Sequence, residues 1–417
     1  MDKFEIEGGR TLRGSLAANG SKNAALPALI ASLLTDETCE FTRVPALRDI
    51  RTTLRLLDSL GKKTSMEGRR AVIEASRPLK TRADYHLVKQ MRASILVAGP
   101  LLARFKRAQV PIPGGCAIGL RPIDIHLSGF ERLGAQTRLS QGDVLLSAAA
   151  LRPARIPLAF PSVGATENLM MAAAAIEGTT TIENAAREPE IESLAECLNL
   201  MGAEVSGAGT KLIRIRGRRD LQGVRYDIPP DRIESGTFLI AAAATRGSIV
   251  LERARPADLA ALIAALKRAG AEIRIDKDSI GLRMKGRPRP ASIATAPHPG
   301  FPTDLQPPWM ALMSLARGRS VVRETIFEKR MLHAAELGRM GARVKVNGEK
   351  ARIDGVESLN GAPVMASDLR AGAALVVAGL AARGQTVIDR VYHIDRGYER
   401  LEARLRLLGA RVRRIRS

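Results

Sequence analysis

Of the three cysteines in the chain, only Cys116 lies among glycines, in PGGCAIGLRP at 113–122, with Arg121 close behind it. A glycine-rich loop is mobile and lets backbone come close to a ligand. Positive charge from Arg92 and Arg121 would favour the thiolate and make proton transfer feasible near neutral pH. Cys39 in a strand pattern and Cys197 in a helix pattern read as small buried residues. Arginines recur near expected helix starts, at Arg92, Arg121, Arg330, Arg370 and Arg396. One reading makes them solvated surface, as it does most of the chain's other arginines. At a helix N-terminus, however, their charge adds to exposed backbone amides and to the dipole, a setting for phosphate and carboxylate. Asp304 in TDL and Asp368 in SDL open two apolar helix patterns. Each reads either as an ordinary N-cap or as a carboxylate kept ionised by nearby arginines and able to accept a proton from a hydroxyl. The five histidines are scattered without ligand spacing, and no Cys/His cluster points to a metal.

A repeat must position these residues. Six amphipathic segments end on Gly61, Gly134, Gly202, Gly270, Gly341 and Gly409, at spacings of 73, 68, 68, 71 and 68 residues. Apolar residues three and four apart predict half-buried helices, each closed by a glycine able to take the left-handed conformation. Alternating runs such as AEVSGAGTKLIRIRG, AEIRIDKDSIGLRM and ARVKVNGEKARID follow several of them and predict hairpin strands. Within the same period lies a second helix, apolar nearly all round: SKNAALPALIASLL, MRASILVAGPLLARF, SVGATENLMMAAAAIEG, ESGTFLIAAAATRG, TDLQPPWMALMSLARG and SDLRAGAALVVAGLAARG. Such helices belong inside a domain. Each unit is expected to hold an interior helix, a short strand, an outer helix and a hairpin.

Six units divide as three plus three, giving two similar inside-out α/β domains with helices inside and sheets outside. DIPPD at 227–231 marks a rigid break after the third unit. The expected domains are 1–21 plus 230–417, with the N-terminal strand KFEIEGG joining the C-terminal half, and 22–229, which carries the cysteine loop. Two chain crossings at these boundaries would form a hinge, with substrate between the domains.

The length of 417 residues and 45% hydrophobic content suit two cores rather than one. Three cysteines cannot all pair, and no leader pattern opens the chain, so a reducing compartment, the cytoplasm, is expected. The apolar stretch AALVVAGLAA at 373–382 is closed by arginine, short of the ~18 residues a span needs. A net charge of +22 is open to nucleic acid, an anionic membrane face, or small substrates bearing phosphates and carboxylates. Aromatics at 3% leave no stacking platform for nucleic acid, and the arginines are dispersed rather than clustered.

SKNAALPALIASLL, MRASI, GGCAIGLRPIDIH, PSVGAT, NAAREPEI, PDRIESGTF, TAPHPGFPTDLQ, ELGRMGA, DLRAGAALV and YHIDRGYERLEARLRLLGA resemble, in order and end to end, the UDP-N-acetylglucosamine 1-carboxyvinyltransferases, also called enolpyruvyl transferases. The six-unit inside-out fold is shared with the shikimate-pathway enolpyruvyl transferase. The cysteine loop is not, and it favours the amino-sugar enzymes over the shikimate-type alternative and over a basic nucleic-acid-binding protein. The resemblance implies transfer of the enolpyruvyl group of phosphoenolpyruvate to the 3′-hydroxyl of UDP-N-acetylglucosamine with release of phosphate, by a cytoplasmic monomer without cofactor, metal, nucleic acid or membrane. By the same resemblance, Cys116, Asp304, Lys22 and Arg396 are catalytic. Cys116 acts as an acid or through a covalent adduct and is the target of fosfomycin, and Asp304 takes the hydroxyl proton. Lys22, Asn23, Arg121, Arg370 and Arg396 hold phosphoenolpyruvate, and Glu328 with Arg330 completes the reaction centre. Nucleotide-sugar contacts fall to Arg92, to Arg121, Pro122, Ile123, Asp124 and Ile125, to Phe160, Pro161, Ser162 and Val163, and to Asp304 and Ile326. The chain departs from the pattern at Phe160, where some members have lysine for the diphosphate, at Lys329 in place of a common asparagine, and in its high positive charge.

Overall fold

A computed structural model describes residues 2–114 and 123–416 of the chain. Cys116, Arg121 and Pro122 lie outside the described residues. The chain divides into two compact units, 2–19 with 230–416 and 20–114 with 123–229. The chain therefore crosses between units at 19–20, two residues before the break expected near 21, and again at 229–230. Each unit has its own apolar core, around Leu29, Leu57, Leu101 and Leu169 in one and around Leu239, Trp309, Leu375 and Leu405 in the other. Burying a large aliphatic or aromatic side chain is worth about 1.5–3 kcal/mol.

The interior helices are Lys22–Ala31, Ala98–Phe105, Val163–Ala174, Arg232–Ala244, Gln306–Met313 and Leu369–Ala381. In the last of these every residue from Arg370 to Leu380 is buried, as a helix without a polar face requires. Two interior segments do not begin as α-helix. The second opens with a 3₁₀ turn, Arg92–Val97, and the fifth with Thr303–Leu305. Proline is the cause. Pro100, Pro307 and Pro308 have no N–H to donate one turn back, so the regular ladder starts where each lies in the first turn.

The outer helices are Arg48–Leu60, Asp124–Arg132, Pro189–Leu200, Ala260–Arg268, His333–Arg339 and Leu401–Leu407. The six repeat glycines follow them with φ of 117°, 96°, 100°, 100°, 89° and 88°, the left-handed region where a side chain is strained. Strand alternation puts one face of each sheet on the helices. In Leu212–Gly217 the residues alternate between exposed and buried along the whole strand.

Among the described residues each unit carries three small sheets. Five are four-stranded, with one short parallel strand and three antiparallel ones. The sixth is Arg107–Pro111 with the hairpin Gln136–Ser140/Asp143–Ser147, and its parallel neighbour shrinks to a bridge between Arg82 and Gln109. The last repeat departs from expectation. It has a single strand, Arg411–Ile415, instead of a hairpin, and the N-terminal strand Lys3–Glu7 fills the missing place, antiparallel to it and to Gln385–Asp389. A second early strand, Arg13–Ala17, which the sequence reading missed, lies parallel to Ser248–Glu252. Phe4, Ile6 and Leu16 from these strands enter the core of the unit that contains 230–416. Among the described residues no helix is long and apolar enough to cross a membrane.

Candidate active site

Within the unit built on 20–229, Ser21 caps the helix Lys22–Ala31 by accepting a bond from the Ala24 amide at 3.3 Å. The rest of this helix is apolar, so its only polar side chains, Lys22 and Asn23, sit half-buried at the start. Lys22 Nζ donates to Asp49 Oδ2 at 3.2 Å. Asp49 lies in the first turn of the outer helix Arg48–Leu60, where the helix dipole favours a carboxylate. Its side chain is only 4% exposed, so it gives the ammonium a fixed counter-charge.

Arg92 opens its 3₁₀ turn half-buried. Ile123 is buried just before the helix Asp124–Arg132, while Asp124 is exposed and Ile125 packs partly on the core. Ser162 caps Val163–Ala174, its Oγ accepting from the Ala165 amide at 3.4 Å. Pro161, Ser162 and Val163 are half-buried and Phe160 is 43% exposed. Cys39 and Cys197 are both buried free thiols, and burial raises the pKa of each.

In the other unit, Asp304 and Asp368 separate into different roles. Asp368 is a cap: its Oδ1 accepts from the amides of Arg370 at 2.9 Å and Ala371 at 3.0 Å. Asp304 is held by arginines instead. Its Oδ1 accepts from Arg330 Nη2 at 2.9 Å, and its Oδ2 accepts from Arg370 Nη2 at 2.8 Å and Nε at 3.1 Å. The two arginine side chains are 3% and 4% exposed and the aspartate 27%. Burial alone would lower the Arg370 pKa, but Asp304, Tyr398 and Asp231 together outweigh it and the net shift is upward, so Arg370 is a permanent cation. Its guanidinium also lies 5.4 Å from the Tyr398 ring centre, and Tyr398 and Thr237 share a hydroxyl hydrogen bond of 2.9 Å.

The loop carrying Ile326, Glu328 and Arg330 is organised by buried Glu324. Its Oε1 accepts from Thr295 Oγ1 and from the amides of Ile326 and Phe327, and its Oε2 from Thr303 Oγ1, beside Asp304. Glu328 is exposed and Arg330 buried. Arg396 is not at a helix start. It ends the 3₁₀ turn Val391–Arg396, half-buried, and the next α-helix begins only at Leu401, after Gly397 breaks the turn.

The structure thus brings Asp304, Arg330 and Arg370 into direct contact and gives Lys22 a buried carboxylate. It places Asn23, Arg92, Ile123 to Ile125 and Phe160 to Val163 in the same unit as Lys22, and Ile326, Glu328 and Arg396 in the same unit as Asp304. Sequence reasoning missed Asp49, Glu324, Thr237 and Tyr398. In sequence Asp49 and Glu324 look like surface charges on a helix start and a strand end, and only three-dimensional burial marks them out.

Two units of three repeats, with charged side chains at several of the interior-helix starts, are the architecture of the enolpyruvyl transferases. The EPSP synthase (3-phosphoshikimate 1-carboxyvinyltransferase) family model matches residues 6–405. The solved enolpyruvyl transferase NikO from Streptomyces tendae superposes with a TM-score of 0.90 at 25% identity, covering 100% of this chain and 99% of that one. EPSP synthase from Acinetobacter baumannii, at TM-score 0.76 and 18% identity over the whole of both chains, shares the fold. UDP-N-acetylglucosamine 1-carboxyvinyltransferase 2 of Carboxydothermus hydrogenoformans is 52% identical over the full length of both chains. The enzyme named UDP-N-acetylglucosamine 1-carboxyvinyltransferase from Desulfatibacillum aliphaticivorans is 53% identical, again over 100% of each. The chain belongs to the UDP-N-acetylglucosamine 1-carboxyvinyltransferase family.

Proposed function

We propose that this protein transfers the enolpyruvyl group of phosphoenolpyruvate to the 3′-hydroxyl of UDP-N-acetylglucosamine and releases phosphate, the first committed step of peptidoglycan synthesis. Full-length identity of 52–53% with transferases named for that acceptor carries the reading. The carboxylate of Asp304, partly exposed between two buried cations, fits it.

Carbon 2 of phosphoenolpyruvate accepts a sugar oxygen only as carbon 3 gains a proton, so an acid and a base must act in one step. Asp304 takes the proton of the 3′-hydroxyl as the oxygen bonds to carbon 2. Cys116 serves the acid side, or holds the substrate covalently, as carbon 3 is protonated. Loss of phosphate from the tetrahedral ketal, with return of a proton from carbon 3, restores the double bond. Lys22, Arg121, Arg370 and Arg396 hold the phosphate and carboxylate and stabilise the charge as it shifts. Asn23 assists Lys22, Glu328 and Arg330 complete the reaction centre, and Arg92, Pro122, Ile123, Asp124, Ile125, Phe160, Pro161, Ser162, Val163 and Ile326 receive the nucleotide sugar. The protein acts in the cytoplasm as a monomer, without nucleic acid or membrane.

Phosphate release measured with phosphoenolpyruvate and either acceptor tests this. Release is expected only with UDP-N-acetylglucosamine. Release with shikimate 3-phosphate instead, or equal release without acceptor, overturns it.

A further inference from the structure

We infer that Asp304 is a masked base, held inactive by Arg330 and Arg370 until an anionic group of phosphoenolpyruvate takes its place on those arginines. This rests on the reading of Asp304 as the group that deprotonates the acceptor hydroxyl.

Three observations carry it. Both carboxylate oxygens are engaged, Oδ1 by Arg330 at 2.9 Å and Oδ2 by Arg370 at 2.8 and 3.1 Å. A carboxylate whose two oxygens accept from two cations is a poor proton acceptor, because each contact favours the ionised form. Second, the exposures are ordered. Asp304 is 27% exposed while the arginine side chains are 3% and 4%, so of the three groups the carboxylate is the one solvent reaches most readily. Third, Arg330 Nε is buried without an acceptor, so Asp304 alone does not use the donors gathered there.

Phosphoenolpyruvate carries a carboxylate and a phosphate, the groups that forked guanidinium donors bind best. When one of them replaces Asp304 on Arg330 or Arg370, a carboxylate oxygen is released and can take the acceptor proton. The base then becomes competent only when the electrophile is in place. Atoms and charge balance: the proton leaves the acceptor oxygen for Asp304, and that oxygen forms its new bond to carbon 2 as carbon 3 is protonated.

The test is calorimetric titration of phosphoenolpyruvate alone into the parent protein and into Asp304→Asn, with unfolding curves confirming that both are folded. Removing the internal competitor should tighten phosphoenolpyruvate binding by about ten- to a hundredfold, the worth of a charge-assisted contact, while turnover collapses. Equal or weaker binding by the folded variant overturns the inference. Should the variant fail to fold, a crystal structure of the parent with phosphoenolpyruvate alone decides. Asp304 parted from at least one arginine supports the inference, and both contacts intact overturn it. The parent's acceptor-dependent phosphate release judges the functional reading separately, since tighter binding by the variant can occur whether or not the parent turns over.

Discussion

Lys22 and Asp49 form a 3.2 Å ion pair that ties the first residue of an interior helix to the first turn of an outer one. The side chains are 12% and 4% exposed, so water screens the pair little. The ammonium therefore holds one position before any substrate arrives. Lysine gives up about 2 kcal/mol of rotamer freedom when its stem is fixed, and here folding rather than binding meets that loss.

Asp49→Asn should therefore act on both stability and substrate handling. Leaving Lys22 without this counter-charge is expected to destabilise the protein by about 3 kcal/mol. It should also raise the KM for phosphoenolpyruvate about tenfold, the worth of one well-placed ionic contact. Denaturant unfolding and steady-state kinetics check it. Unchanged values in both would show that the pair neither supports the fold nor positions Lys22.

Alkylation separates the three thiols. Cys39 and Cys197 have no exposed surface, and burial raises their pKa, so neither presents a thiolate. An epoxide phosphonate such as fosfomycin is expected to add once, at Cys116, and faster with UDP-N-acetylglucosamine present. Cys116→Ser should lose turnover, since an alcohol is too weak an acid, while Cys116→Asp should retain it and escape the adduct. Intact mass with peptide mapping reads the adduct, and one found on Cys197 would remove Cys116 from the mechanism.

Acid stability should report on His333, which is buried beside the Arg330 loop. Burial holds its pKa down at about 4, with Asp368 pulling up and Arg330 pushing further down. The unfolded chain takes up the proton near pH 6.5 and the folded protein only near pH 4, so stability contributed by this residue is present above pH 6.5 and is lost as pH falls between those values. The loss amounts to roughly 3 kcal/mol at pH 4. Buried Glu167 and Glu234 have raised pKa values, chiefly through burial, and act in the opposite sense, so the comparison is between parent and His333→Gln. The variant should lose less stability than the parent on acidification from pH 7 to pH 4. Parallel curves would show that His333 titrates alike in both states.

The sequence by itself determined the repeat, the two kinds of helix and the chemistry on offer, because these depend on residues near one another along the chain. A glycine at φ of about 100° after Leu133, Met201 or Ala269 is demanded by the helix end it closes, and it is visible in any alignment of the chain with itself. Apolar periodicity likewise marks which helix is inside. Only the tertiary structure decided which charges matter. Asp304 and Asp368 look alike in sequence, each one residue before a leucine, yet one caps its helix while the other is gripped by arginines 26 and 66 residues away. Asp49 and Glu324 gain their roles from burial, which the chain achieves only when separate elements pack. The N-terminal strand completes the last repeat because a lone Arg411–Ile415 would leave a sheet without its third antiparallel member. The physical reason is the same throughout. Local conformation is set by short-range sterics and hydrogen bonds, whereas the partner of a charge is set by which distant surfaces exclude water from around it.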